Sequence, residues 1–152
     1  MGAEQRLREL GIELPPVAKP RWSYVPAVRA GSLLFVSGQV AMRDGTLLHP
    51  GKLGRDVTVE QGQAAARACA VAALAIARAE LGSLDAISRV VKSTFFVASA
   101  EGFGDQPGVA NGGADLLRDV FGEPGLGARS AIGVAELPMG ASVEAEFIFE
   151  LR

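Results

Sequence analysis

The pattern of apolar and polar positions at the start of the chain predicts a short helix, an arm and two strands. Residues 3–10, AEQRLREL, suit a helix that ends at Gly11. Residues 11–21 contain three prolines, which favour an irregular and mostly extended arm. Residues 24–31 predict a strand whose proline places it at a sheet edge or a bulge. Residues 32–42, SLLFVSGQVAM, predict a second strand.

Two further segments have the features of helices. Residues 59–81 follow Thr58, a suitable N-cap, and stop at Gly82. Their polar residues fall on one narrow stripe, so the remaining face is wide, small and apolar and can approach a sheet closely. Residues 108–121 predict a second helix, which two consecutive glycines weaken near its start. The polar, glycine-rich residues 43–56 predict a loop.

The second half of the chain adds three predicted strands. Residues 86–99 are β-branched and aromatic, and residues 127–151 form two runs around a Leu-Pro turn. In the last run, side chains alternate between an apolar face and a face that carries glutamates. This order predicts one α+β domain over residues 1–152, with residues 1–22 as an N-terminal helix and arm and both later helices on one sheet face. The other face has no cover within the chain, so we expect self-association.

Composition narrows the class of protein. The 152 residues are 49% hydrophobic and 21% charged, with a net charge of −2, as in a globular chain. No lysine-arginine cluster stands out, so we expect no nucleic-acid partner. One cysteine allows no internal disulfide, and neither a secretory leader nor a membrane-spanning segment is evident. We therefore expect a cytoplasmic protein with no membrane partner.

Several candidate sites have weak support. The single histidine, His49, lies in a loop without other ligands at metal-binding spacing, so we expect no metal site and no Ser-His-Asp triad. Cys69 stands between alanines in the long predicted helix, which favours a small buried side chain. The glycine-rich segments lack the lysine and the spacing of a phosphate loop.

Arg129 and Glu144 are the main candidates, because charges in apolar strands are costly without partners. They can form a salt bridge, or occupy two solvated strand ends. Alternatively, the guanidinium binds a substrate carboxylate with two parallel hydrogen bonds, and the glutamate orients a water and accepts its proton. The second interpretation predicts hydrolysis of a small acid-bearing substrate. Tyr24, Ser37 and Asn111 are polar residues suited to line such a pocket.

Three motifs give the chain a family resemblance. They are LLFVSGQV at residues 33–40, VVKSTFFV at residues 90–97 and ARSAIGVAELPMGASVEAE at residues 128–146. On these motifs the chain resembles the RidA family, also called the YjgF family and often described as endoribonuclease L-PSP-like. The likeness covers residues 24–152, and the arm LGIELPPVAKP looks like that of a longer subgroup.

The resemblance implies a chorismate-mutase-like fold and a homotrimer, in which three sheets surround a central barrel and the sites lie in clefts between subunits. It also implies an activity. Family members hydrolyse reactive 2-imino and enamine acids, such as the products of PLP-dependent dehydratases, to 2-keto acids and ammonia. No metal or organic cofactor is needed for that reaction.

The family's functional residues carry over to this sequence. Its substrate-binding arginine falls on Arg129, and its water-positioning glutamate falls on Glu144. Backbone groups near the S-G-Q turn and the arginine are implied to assist proton transfer to nitrogen. The remaining implied substrate-binding residues are a tyrosine near the first strand, the serine and glycine of the S-G-Q turn and an asparagine before the second helix: Tyr24, Ser37, Gly38 and Asn111.

One departure and two alternatives remain. Short family members often read A-R-S-C, whereas this chain has Ala131 at the cysteine position, so thiol-dependent behaviour is not expected to transfer. A pocket that binds 2-keto acids without turnover, as a regulatory module, is the first alternative. An endoribonuclease is the second, and the acidic pI of about 5.4 and the absence of interleaved basic and aromatic residues disfavour it.

Overall fold

Three α-helices and seven β-strands follow one another along the chain. The computed structural model describes residues 1–152. The α+β class and the order of the long elements are as predicted from the sequence. In chain order the elements are α1 (Ala3–Glu9), β1 (Ala27–Ala30), β2 (Leu33–Val40), β3 (Met42–Arg43), β4 (Thr46–Leu47), α2 (Val59–Leu81), β5 (Ile87–Ala98), α3 (Gln106–Phe121), β6 (Ala128–Val134) and β7 (Val143–Leu151).

Five of the strands form one mixed sheet, in the order β1-β2-β7-β5-β6. The pair β5–β6 is parallel and the other pairs are antiparallel. Strand β1 begins immediately after Pro26 and lies at one edge, as its proline predicted, because proline cannot donate to a central ladder. Strand β6, which carries Arg129, forms the other edge.

Helices α2 and α3 both pack on one face of this sheet, as the sequence predicted. The core between the two layers contains Phe95, Phe147 and Phe149, with the rings of Phe95 and Phe147 edge to face at 5.8 Å. The opposite face is uncovered, again as predicted. It exposes Phe35 and Ile132, which are 41% and 45% accessible.

The long helix α2 begins and ends where the sequence predicted. The Thr58 hydroxyl accepts the N–H of Gln61, and the Gln61 side chain returns the bond to the Thr58 N–H. Gly82 ends the helix in the left-handed conformation, where a side chain would be strained. Cys69 is fully buried on the sheet side of this helix, as its alanine neighbours predicted.

Helix α3 begins two residues earlier than predicted, because Asp105 caps it by accepting the N–H of Gly108. Asn111 lies within the helix, as the predicted range 108–121 already placed it, and not before the helix as the family resemblance implied. Close packing explains why two consecutive glycines, Gly112 and Gly113, occur in this helix. A methyl group at Gly112 would overlap the backbone of Gln63 on α2, and one at Gly113 would overlap the Phe95 ring.

Two connecting segments complete the chain. Residues 43–56, predicted as a loop, include part of a small hairpin, β3–β4, which pairs Met42 with Leu47. The arm after α1 is exposed along most of its length, and Trp22 is 66% accessible. No helix is both long and apolar enough to cross a membrane.

Candidate functional site

Arg129 lies on edge strand β6, with its side chain on the helix side of the sheet. Its register partner in β5 is Ser93, which is buried beneath the helices. The Nη1 group donates a hydrogen bond of 2.8 Å to Oδ1 of Asn111, in the second turn of α3. No carboxylate of the chain lies within ion-pairing distance of this guanidinium. Arg129 is therefore oriented by a neutral partner, and its charge is not neutralised.

Glu144 lies on the central strand β7, with its side chain on the uncovered face of the sheet. Its register partners are Val40 in β2 and Phe96 in β5, both apolar. The carboxylate atom Oε1 lies against Gly38, where an added methyl group would overlap it. The missing side chain at Gly38 makes room for the Glu144 carboxylate.

The surroundings of Glu144 raise the pKa of its carboxyl above the ordinary value. Partial burial is the main cause, and the negative charge of Glu146 on the same strand is the second. A carboxylate with a raised pKa is a stronger base than one in free solution. It is better matched to accepting a proton from water near neutral pH.

Ser37 fixes the segment that precedes β1 against strand β2. Its hydroxyl donates to the carbonyl of Val25 at 2.6 Å, and its N–H donates to the carbonyl of Pro26 at 2.9 Å. Tyr24 is next to this attachment and is 48% accessible. The structure thus places Tyr24, Ser37 and Gly38 along one side of the sheet.

The predicted site residues fall into two groups that a single chain does not bring together. Arg129 and Asn111 lie at the β6 edge on the helix side, whereas Glu144 lies on the uncovered face. Along β5, their register partners Ser93 and Phe96 are three residues apart, and β6 and β7 flank β5. Standard strand spacings then separate the two Cα atoms by roughly 14 Å. A salt bridge between Arg129 and Glu144 within the chain is therefore excluded.

A surface cleft of about 510 Å³ lies elsewhere, at the start of β6. It is lined by Arg89, Glu123 and Glu150, together with apolar and backbone groups. Arg89 and Glu150 neutralise each other at 3.6 Å. None of the predicted site residues lines this cleft.

Other candidates have no neighbours that would support chemistry. His49 is half-buried in a loop with a positive φ of 50°, and no group of three His, Cys, Asp or Glu side chains is arranged to hold a metal ion. The Cys69 thiol faces the Val143 carbonyl at 3.5 Å, and burial raises its pKa strongly. A thiol in this state is a poor nucleophile.

Sequence reasoning gave no role of its own to Gln39, whose side chain bonds the backbone of Ser37 and Gly38. The signal was present in the S-G-Q motif. The role of the Gln39 side chain depends on an irregularity in the pairing of β2 with β7, which the sequence does not reveal.

The fold defines a class of protein: a mixed sheet with two helices on one face, as in the chorismate-mutase-like group. The family model described as "YjgF/chorismate_mutase-like, putative endoribonuclease" matches residues 4–150. The chain belongs to this family, the YjgF or RidA family.

Two curated relatives match nearly the whole chain. Protein TCP17 of Trypanosoma cruzi is 49% identical over 147 residues, which cover 96% of this chain and 92% of that protein. The 2-iminobutanoate/2-iminopropanoate deaminase of Dermatophagoides farinae is 33% identical over 137 residues, which cover 90% of this chain and 92% of the relative.

A solved structure is also similar. The crystal structure of Atu1372 from Agrobacterium tumefaciens, a protein of unknown function, has a TM-score of 0.89 and 47% identity. The match covers 98% of this chain and 91% of that one.

Proposed function

We propose that this protein hydrolyses reactive 2-imino acids to 2-keto acids and ammonia, at sites formed between copies of the chain. The observation that carries the proposal is the state of Arg129, an exposed guanidinium held by Asn111 with no carboxylate partner. Such a group is arranged to bind a carboxylate that comes from outside the chain. The 33% identical deaminase supports the choice of substrate class.

Glu144 supplies the base in this proposal. A water held by its carboxylate attacks the imine carbon and transfers a proton to the carboxylate, while the π electrons of the C=N bond move to nitrogen. The product is a tetrahedral amino alcohol. The proton then passes from Glu144 to nitrogen, and the C–N bond breaks with loss of ammonia. The hydroxyl proton returns to the Glu144 carboxylate as the C=O bond of the keto acid forms. A protonated imine is already electrophilic, so the scheme requires no metal or organic cofactor.

The two groups of site residues support a site shared between subunits. Arg129 lies on the β6 edge of the sheet, whereas Ser37 ties the Tyr24 segment to the opposite, β1–β2 side. A head-to-tail arrangement of copies brings these unlike sides together, and such contacts form a ring when the rotation between copies closes. A homotrimer with three equivalent sites is the ring that we propose. The exposed apolar side chains of the uncovered face favour the same assembly.

The test separates binding from turnover. An amino-acid oxidase generates the imino acid, and suppression of semicarbazone formation measures its hydrolysis. Arg129→Lys keeps the charge but loses the planar two-pronged geometry. We expect it to lower kcat/KM by about a hundredfold, because misplacing substrate by about 1 Å is that costly. Arg89→Lys, on neighbouring strand β5, is the matched control and should retain activity.

Glu144→Gln should differ from Arg129→Lys in kind. It keeps size and hydrogen bonding but removes the proton acceptor. The affinity for a 2-keto acid should therefore survive while imine hydrolysis falls. Glu80→Gln, which changes an exposed carboxylate on α2, is its control. A protein that binds 2-keto acids but never accelerates imine decay would instead be a binding module. RNA cleavage that survives Arg129→Ala would favour an endoribonuclease.

A further inference from the structure

Strand β2 contains one extra residue beside the Glu144 carboxylate. Val36 pairs with Phe147 on β7, and pairing resumes between Gln39 and Ala145. Ser37 and Gly38 therefore occupy the space opposite a single residue of β7. This arrangement is a β-bulge, which bends the strand and redirects the side chains around it.

Gln39 holds this bulge with its own side chain. The Nε2 group donates to the carbonyl of Ser37 at 2.9 Å and to the carbonyl of Gly38 at 3.1 Å. A bulge takes backbone groups out of the ladder, and half-buried carbonyls without donors are costly. The Gln39 Nε2 group is therefore engaged by two backbone carbonyls of the bulge.

The shape of the bulge decides where the Glu144 carboxylate lies. Gly38 and Glu144 Oε1 are in such close contact that a methyl group at Gly38 would overlap the oxygen. A small movement of the Ser37–Gly38 backbone therefore moves the wall against which the carboxylate rests. We propose that Gln39 is a positioning residue, whose amide fixes the bulge in the form that seats the Glu144 carboxylate for its role in the proposed hydrolysis.

Few groups other than the bulge held by Gln39 can change the pKa of the Glu144 carboxyl. Glu146 is its charged neighbour on β7, and the neutral thiol of Cys69 lies beneath the sheet on α2. The register partners of Glu144 on β2 and β5 are Val40 and Phe96, which do not titrate. A change in the titration of Glu144 after mutation of Gln39 can therefore be assigned to the bulge.

The test is Gln39→Met, which keeps the length of the side chain and removes both donors. We expect kcat for imine hydrolysis to fall about tenfold or more, because the proton acceptor is displaced, while the affinity for a 2-keto acid stays within about twofold. The acid limb of the pH–rate profile should move to lower pH, because a released carboxylate reaches water more freely.

Gln106→Met is the matched control. Gln106 is also half-buried, and its amide also makes two hydrogen bonds, to the Phe103 carbonyl and to Ser99 Oγ. It should lower stability without moving the acid limb. A Gln39→Met variant with wild-type kcat and acid limb would overturn the proposal. Equal shifts in both variants would also overturn it.

A second readout needs no catalysis. The amide resonance of Gly38, beside Glu144 Oε1, should report the titration of that carboxyl in an NMR pH series. Its midpoint should be lower in Gln39→Met than in the unmodified protein. If the unmodified protein shows no imine hydrolysis, the proposed function fails, but this titration still decides the role of Gln39.

A third measurement applies if Gln39→Met does not fold. In the unmodified protein, the side-chain amide protons of Gln39 should exchange with water more slowly than those of Gln5, which is exposed on α1. Equally fast exchange would overturn the proposal.

Discussion

At the scale of single residues, the position of Glu144 suits a functional role but lowers the stability of the fold. Its carboxylate is half-buried, lies against Gly38 and has Glu146 as a like-charged neighbour on the same strand. Natural proteins retain such costs mainly where function requires them. We therefore expect the ionised Glu144 side chain to support activity while it lowers the stability of the fold.

Glu144→Gln is expected to stabilise the protein at neutral pH. The folded-state pKa lies above the ordinary value near 4.5, so the folded protein binds more protons than the unfolded chain between these two pKa values. The contribution of the protonated Glu144 carboxyl to the free energy of unfolding is therefore fully present below about pH 4.5. It is lost as pH rises through the folded-state pKa. The gain from the substitution should be about 1 kcal/mol or less, because solvent screens a half-exposed group.

Thermal unfolding across pH checks this expectation. The melting temperature of Glu144→Gln should equal that of the unmodified protein near pH 4 and exceed it near pH 7. Glu80→Gln, which removes an exposed charge from α2, is the control for the loss of one negative charge. A lower melting temperature for Glu144→Gln at pH 7 would show that the carboxylate stabilises the fold.

Cys69 is expected to be structural. Cys69→Ala removes a fully buried sulfur and its weak bond to the Val143 carbonyl, so it should cost about 1 kcal/mol through a small cavity. Imine hydrolysis should be unchanged, and a thiol reagent should label Cys69 only in the unfolded protein, because burial keeps the thiol protonated. Loss of turnover in a folded Cys69→Ala protein would contradict this assignment.

At the scale of elements, α2 depends on its first turn as well as on its packing. Thr58 and Gln61 satisfy each other's backbone N–H groups in a reciprocal capping box. Many of the following residues are small, so α2 packs closely on β2 and β7, and Leu74 is its largest fully buried side chain.

Thr58→Ala should lower the free energy of unfolding by about 1 kcal/mol, because one backbone N–H of the first turn loses its acceptor. Thr58→Ser keeps the oxygen and should cost much less. Urea unfolding of both variants measures the difference. Equal losses in the two variants would mean that the Thr58 methyl group, and not the cap, stabilises this end of the helix.

The strands show how an element creates a site that its sequence alone does not predict. The run LLFVSGQV predicted a strand, and β2 is one. The extra residue at Ser37–Gly38 appears only when β2 is paired with β7, because a bulge is defined by two strands and not by one.

At the scale of the whole molecule, the placement of Arg129 and Glu144 makes the assembly testable. Light scattering should give about three times the chain mass of 15.7 kDa at micromolar concentration, as the homotrimer implied by the family resemblance requires. A monomer with full activity would contradict the proposed shared site.

Mixing two inactive variants provides the decisive test of a shared site. Arg129→Ala and Glu144→Gln subunits, unfolded together and reassembled at equal ratio, should recover about one quarter of the unmodified activity. In random head-to-tail rings, that fraction of sites receives an intact arginine from one chain and an intact glutamate from the next. Each variant reassembled alone is the control. Recovery no greater than that of the controls would place both residues in a site of one chain.

The sequence by itself determined the elements and their order, because the signals for them are local. The cap at Thr58, the stop at Gly82 and the alternation in residues 143–151 each depend on neighbours within a few positions. The family motif also selected Arg129 and Glu144 as the residues of interest. Local pattern did not reveal the small hairpin at Met42–Leu47, where each strand has only two residues.

The tertiary structure decided how those residues are arranged, because strand pairing joins distant parts of the chain. The sequence suggested a pair of charges, but the register of β5 against β6 and β7 places Arg129 and Glu144 on opposite faces of the sheet. A one-residue change in register would reverse such a face, and no local signal fixes it. The same non-local pairing creates the bulge that seats Glu144 against Gly38, and it leaves Arg129 at an edge where a second chain is needed to complete the proposed site.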